Sequence, residues 1–379
     1  MTLRFTEEQE MIRDMIRAFA EDEIAPLADE LDKTGRFPAE TVAKLAEMGV
    51  IGLNIPESYG GAGMDEICKV LAISEVARCC SSTAEMLAVQ LLVNDIILKN
   101  GNEAQKQKYL SMSAQGKLGA FALTEPNAGS DAAAAKTKAV SDGDHYVITG
   151  TKCFISNMGP EEGDYVIVIA LTDPSKGVRG MSAIIVDRGT PGFSLGKTED
   201  KMGIRAAAVS ELIFEDCRVP KTQLLGKEGD GFRIAMSGLE GGRIGIASQA
   251  VGLSRGALDA AVAYARQRVQ FGKPIADLQG IQWYLADMAT RTEAAWQLTL
   301  AAADARSRGE SASKLAAMAK YFASENAVFV CDRSLQVHGG YGYMKDYPIE
   351  RMYRDARIIT LYEGTSEIQK MVISKEVLK

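Results

Sequence analysis

Histidine is scarce in this chain: only His145 and His338 occur among 379 residues. A Ser-His-Asp hydrolase would have to use one of the two, and no G-x-S-x-G elbow is expected, so hydrolysis is disfavoured. The six cysteines, Cys68, Cys79, Cys80, Cys153, Cys217 and Cys331, show no C-x-x-C spacing. With so few histidines beside them, neither a metal site nor a disulfide framework is expected, and buried free thiols are the better account. A surplus of positive charge is missing as well. The net charge is −7, with acids and bases interspersed, which argues against a nucleic-acid partner and gives no basic face for a membrane surface. No apolar run approaches the ~20 residues of a membrane span. The N-terminal segment is acidic and reads as neither a signal nor a transit peptide, so the expected location is cytoplasmic.

What is present falls into three stretches of different period. Thr6 and Gln9 have the spacing of a capping box, and Met11, Ile12, Met15, Ile16 and Phe19 then recur at helical spacing. The helical pattern runs to about residue 118. From about 121 to 225 it gives way to short β-rich runs at 145–149, 165–171, 181–186 and 212–214, punctuated by Gly, Pro and Asp. Long helical segments return at 246–266, 278–306 and 312–337. The expected class is α+β: an N-terminal helical domain over 1–119, a middle antiparallel β-barrel or sandwich over 120–228, and a C-terminal four-helix bundle over 229–379. Consecutive strands exclude a doubly wound dinucleotide fold. The glycine-rich Gly339-Gly340-Tyr341-Gly342 follows a helix rather than a strand.

Several segments are chemically suggestive. Glu363 follows an apolar stretch and precedes a Gly-Thr-Ser step that reads as the start of the last helix. A carboxylate against apolar walls has its charged form disfavoured and its pKa raised toward the range useful for a base. The competing reading is a charge that merely decorates a helix N-terminus. Phe121-Ala122-Leu123-Thr124-Glu125-Pro126 runs from an apolar strand into a polar loop reaching Gly129-Ser130-Asp131. Such a loop can aim N–H groups and hydroxyls at a planar polar ligand. Phe154-Ile155-Ser156-Asn157 combines an aromatic, an aliphatic and a hydroxyl, core packing being the alternative for Phe154. Arg268-Val269-Gln270-Phe271-Gly272-Lys273 lies at a break between long helices, where the arginine can pair with a phosphate or a carboxylate. His338, at a helix end, reads as a packed histidine. Asp95 reads as a solvated helix position or as a polar group in a pocket.

In their order and spacing these segments, with Gln336, Gly339-Gly340 and Tyr362-Glu363-Gly364-Thr365, resemble the acyl-CoA dehydrogenase family over essentially the whole chain. The resemblance implies an FAD enzyme that oxidises the Cα–Cβ bond of an acyl-CoA thioester, with flavin between the β domain and the C-terminal helices of a homotetramer. It implies Leu123, Thr124 and Ser156 at the flavin ring, flanked by Phe121, Phe154 and Ile155, with Ser130 serving both cofactor and CoA. Arg268, Gln270, Phe271, Leu278, Gln279, Gln336, Gly339 and Gly340 would reach the FAD of a neighbouring subunit. Thr365 and Glu367 would return to the first. Glu240, Arg243 and Gly364 would meet the substrate, and Glu363 would be the base. Some relatives carry the base directly before the arginine matched by Arg243; Gly242 stands there and cannot serve. Glu240 replaces the commoner aspartate.

The chemistry agrees, because no side chain accepts a hydride and a flavin does. The expected function is therefore dehydrogenation of a short-chain, branched or cyclic acyl-CoA, with electrons passing to an electron-transfer flavoprotein. The alternatives are an enoyl-CoA reductase, aryl-acryloyl substrates included, running the reverse reaction in a flavoprotein complex, or a non-catalytic flavin-binding helical protein. The run 90–95 departs from the polar pattern frequent in butyryl-type relatives.

Overall fold

A computed structural model describes residues 4–379. The helices are α1 (Glu7–Phe19), α2 (Ala28–Thr34), α3 (Ala39–Glu47), α4 (Glu66–Cys79), α5 (Ser81–Asn100), α6 (Glu103–Gln105), α7 (Ser111–Ala114), α8 (Gly231–Gln267), α9 (Gln279–Ser307), α10 (Ser313–His338), α11 (Ile349–Ile359) and α12 (Ser366–Val377). The strands are β1 (Gly119–Ala122), β2 (Lys138–Asp142), β3 (His145–Ser156), β4 (Tyr165–Leu171), β5 (Met181–Asp187), β6 (Phe193–Thr198), β7 (Val209–Pro220), β8 (Leu224–Leu225), β9 (Val269–Gln270) and β10 (Lys273–Pro274). Helices on both sides of a sheet segment give the α–β–α succession.

Thr6 caps α1 through the expected box: its Oγ1 accepts from Gln9 N at 3.2 Å and its own N–H donates to Gln9 Oε1 at 3.0 Å. Only Ile12 and Ile16 of that apolar set are fully buried, whereas Met11 and Met15 face solvent. The core face of α1 is thus a narrow stripe that packs on α4.

The sheet is mixed rather than antiparallel. Its order is β6-β7-β3-β2-β4-β5-β8, with β1 also beside β4. β1 and β2 each run parallel to β4: a two-residue turn sends the chain back along β3, antiparallel to β2, and the loop 157–164 then reverses it again into β4. The remaining pairs are antiparallel. β4 and β5 are buried almost throughout, as strands covered on both faces require.

α8 is the central helix, packed by α4, α5, α9 and α10. It starts at Gly231, 15 residues before the start expected from periodicity. The glycines that obscure it are places of close approach. A β-carbon at Gly252 would lie 2.1 Å from Ser74 O, and one at Gly256 2.3 Å from Arg78 O. α5 lies between this helical core and β1. By length and composition α5 is apolar enough to cross a membrane, which the sequence did not lead one to expect, yet 83% of its apolar window is buried inside the protein.

Candidate active site

The turn between α11 and α12 carries Glu363. Its φ of 53° is in the left-handed region, unusual for a residue with a side chain, and Gly364 follows at 87°. The last helix begins at Ser366, capped by Thr365 Oγ1, which accepts from Ile368 N at 3.3 Å. Glu363 therefore stands ahead of the cap and does not decorate the helix. Gln369 Nε2 donates to the carbonyls of Glu363 at 3.0 Å and Gly364 at 2.9 Å, and the buried Lys320 Nζ donates to Gly364 O at 2.7 Å. Two helices thus pin the turn.

The Glu363 side chain points inward, and its Oε2 is buried with no hydrogen-bond partner. Burial pushes this carboxyl up to about 7, against the pull of Arg243 and Lys320. On α8, a β-carbon at Gly242 would meet Leu92 Cδ1 at 2.6 Å and Glu363 Oε2 at 2.7 Å. Arg243, next along, is buried with an unpartnered Nε; burial lowers its pKa while Glu363 and Glu240 raise it. Glu363, Gly242, Arg243 and Glu240 come together here.

The strand ends form a second wall. Lys152, with no exposed surface, donates to Leu123 O at 3.0 Å and to Glu125 Oε1 at 2.8 Å, and Cys153 N donates to Thr124 O at 3.0 Å. These bonds lay Leu123 and Thr124 beside residues 152–156. Phe154 is 65% exposed at φ 59°, not packed in the core, while Ile155 is buried. Asn157, also left-handed, donates to Met86 O on α5 at 3.1 Å. Phe121 is half-buried in β1, and Ser130 is exposed in the loop beyond Glu125.

The remaining expected residues are elsewhere. Arg268, Gln270, Gly339 and Gly340 line a concave site of about 560 Å³ with Tyr264, His338 and Tyr341. Phe271, 91% exposed, tips the β9–β10 hairpin, and Leu278 and Gln279 open α9. Gln336 is exposed and outside that lining. His338 is packed as expected, stacked on Tyr264 at 4.3 Å with Nδ1 2.7 Å from Ser334 O, and burial lowers its pKa. Lys320 and His338 stand 18 residues apart on α10, roughly 27 Å along the axis. Within one chain this groove is remote from Glu363. Thr365 and the exposed Glu367 sit at the start of α12, near Glu363.

Sequence reasoning missed Lys320 and Gln369, and with them Glu85, a carboxyl buried on α5. Lys320 is a lysine on a helix face of small residues, among them Ala316, Ala317, Ala323 and Ser324, the one signal available. Asp95 is neither solvated nor a pocket group. It is buried and takes hydrogen bonds from Lys69 at 2.6 Å, Arg306 at 2.8 Å and Asn54 at 2.6 Å. A G-x-S-x-G string does occur, at 252–256, but mid-helix, with Ser254 Oγ donating to Ala250 O at 2.7 Å. It is no nucleophile elbow. Among the described residues no cluster of His, Cys, Asp or Glu is placed to hold a metal, and the cysteines are free.

The chain matches the acyl-CoA dehydrogenase N-terminal domain over residues 6–117, the middle domain over 120–217 and the C-terminal domain over 229–378. It is 54% identical to the acryloyl-CoA reductase (NADH) of Anaerotignum propionicum, over 100% of this chain and 96% of that protein. A chain from a structural study of the electron transferring flavoprotein of Acidaminococcus fermentans superposes with a TM-score of 0.98 at 47% identity, covering both chains fully. Butyryl-CoA dehydrogenase of Megasphaera elsdenii does so at 0.97 and 43%, again over 100% of each. The chain belongs to the acyl-CoA dehydrogenase family. It is accordingly an FAD-dependent oxidoreductase acting on CH–CH groups.

The residues present fit that cofactor. An exposed aromatic at a strained backbone position, with a hydroxyl two residues on, offers a face and a polar contact for a flat ring system. The Arg268–Gly340 groove combines a guanidinium with two glycines whose β-carbon positions are open, which suits a phosphate-bearing chain.

Proposed function

We propose that this protein catalyses α,β-dehydrogenation of a short-chain, branched or cyclic acyl-CoA, Glu363 taking the α-proton and electrons leaving to an electron-transfer flavoprotein. The carrying observation is the buried, unpartnered Glu363 Oε2 with its pKa at about 7. A base of that strength can accept a weakly acidic proton near neutrality and return it. FAD, when bound, supplies the hydride acceptor that no side chain provides. Leu123, Thr124, Phe154 and Ser156 would seat its ring system, and Thr365 and Glu367 would stand near it. Arg243 and Glu240 would hold the CoA side, and the Glu363 N–H would donate to the thioester carbonyl. Because the Arg268 groove is remote from Glu363 in one chain, it would serve a neighbouring subunit's FAD in a homotetramer. The three functional segments would be 1–119, 120–228 and 229–379.

A second reading runs the chemistry in reverse, as an enoyl-CoA reductase in a flavoprotein complex. The 54% identity to a named acryloyl-CoA reductase favours it, as does the likeness to a chain studied with an electron transferring flavoprotein. Anaerobic mixing of the flavoprotein with short, branched, cyclic and aryl-propionyl thioesters tests the first reading through loss of flavin absorbance. Failure with every thioester sinks it. Glu363→Gln should abolish the bleaching, and bleaching at the wild-type rate would remove Glu363 from the mechanism.

A further inference from the structure

Glu85 is a second buried carboxyl at this site that the proposed chemistry does not use. It is 1% exposed, and its Oε2 is buried without a hydrogen-bond partner. On α5 it belongs to the stripe that faces α8: Ala88 lies against Gly245, Leu92 against Gly242 and Glu363, and Ile96 against Gly238. Residues 85, 88, 92 and 96 share one face at steps of three and four. The neighbouring residue Met86 is tied to the end of β3 by Asn157. Glu85 therefore sits where α5, the Ser156 strand end and the Glu363 turn meet.

Ser156 hydrogen-bonds this carboxyl but leaves Oε2 over, and an unsatisfied buried polar atom costs free energy. Burial pushes Glu85 up to about 7; Ser156 and Lys201 pull it down and Glu363 adds to the rise. Tyr362 donates its hydroxyl to Gln249 Oε1 and is not available to Glu85. A purely alkyl acyl group would leave Glu85 Oε2 sealed in without a donor, a poor match between ligand and wall.

We propose that Glu85 is a specificity-determining residue, and that the acyl group accepted here carries a hydroxyl that donates to the Glu85 carboxyl. The inference rests on the acyl-CoA reading above and names the substrate class of that same site. A site that hydrogen-bonds a substrate hydroxyl rejects the analogue lacking it far more strongly than an apolar pocket rejects a methylene.

The test uses two isosteric pairs with the FAD-loaded protein: 4-hydroxybutyryl-CoA against pentanoyl-CoA, and 3-(4-hydroxyphenyl)propionyl-CoA against 3-(4-methylphenyl)propionyl-CoA. In at least one pair the hydroxyl member should bleach the flavin with kcat/KM about tenfold or more above its methyl partner. Glu85→Leu should erase or invert that ratio, while Glu85→Gln should keep it. The ratio should also grow as pH rises through about 7 in the wild-type protein, where Glu85 becomes a charged acceptor. It should stay flat in Glu85→Gln; Glu363 titrates for both members of a pair and cancels. Bleaching without a hydroxyl preference in either pair, or an equal preference in Glu85→Leu, overturns this proposal alone. No bleaching with any thioester overturns the parent reading and this one with it.

Discussion

Gly242 and Glu363 share one small volume: the β-carbon that any other residue would place on α8 falls 2.7 Å from the Glu363 carboxylate oxygen. Gly242→Ala must therefore displace the base. The clashing atoms are side-chain ends, so the fold should survive with little change in Tm. A misplacement of the order of 1 Å costs about 100-fold in rate, and the kcat for flavin reduction should fall by roughly that factor.

The pH dependence follows from Glu363 and has a definite sign. Oxidation of the thioester needs the ionised carboxylate, so kcat/KM should rise through pH of about 7 and level off above it. Stability runs the other way. The folded pKa is raised above the ordinary 4.5, so the protonated carboxyl favours the folded state below that value. This contribution is lost as pH climbs toward 7. Glu363→Gln should abolish the stopped-flow signal at every pH and make the thermal-melt series less steep between pH of about 5 and 7, with Glu85 leaving part of the slope in place.

Lys320 holds a positive charge near the base while bonding to the Gly364 carbonyl. Lys320→Met removes that charge, and Gln369 retains a hydrogen bond to the same carbonyl. The Glu363 pKa should then move further up, shifting the rising limb of the pH–rate profile to higher pH by on the order of one unit. An unshifted limb would show that Lys320 serves the backbone only.

Lys152 and Glu125 form a buried ion pair that also fixes Leu123. Lys152→Met leaves Glu125 ionised and without its cation, a class of change that costs about 3–5 kcal/mol. Denaturant unfolding should register that loss. FAD retention on a desalting column should drop with it, because the Leu123–Thr124 edge loses its anchor.

Much of this fold was legible in the chain because its helices are long and periodic. The segments expected at 278–306 and 312–337 correspond to Gln279–Ser307 and Ser313–His338. The start of α8 was hidden by Gly238, Gly241, Gly242 and Gly245; at the first three the low helix propensity is outweighed by close packing that a side chain would disturb. Strands β2 and β6 were unread: their burial is slight, so no apolar run marks them. Glu363 stood out by its apolar approach. Glu85 and Asp95 did not, because whether a carboxylate on a helix is buried depends on partners as remote as Arg306 and Lys201.

The position of α5 bears on how such a protein can be made or taken apart. Sixteen of its 20 residues are buried, some against the helical core and others against the sheet. A chain cut near residue 119 would strip the sheet and the C-terminal bundle of a shared apolar surface, and the two fragments should aggregate when expressed apart. Functional segmentation and folding autonomy therefore part company here. The three stretches should unfold as one cooperative unit, and a circular permutation that keeps α5 covered should be better tolerated than a clean division between them.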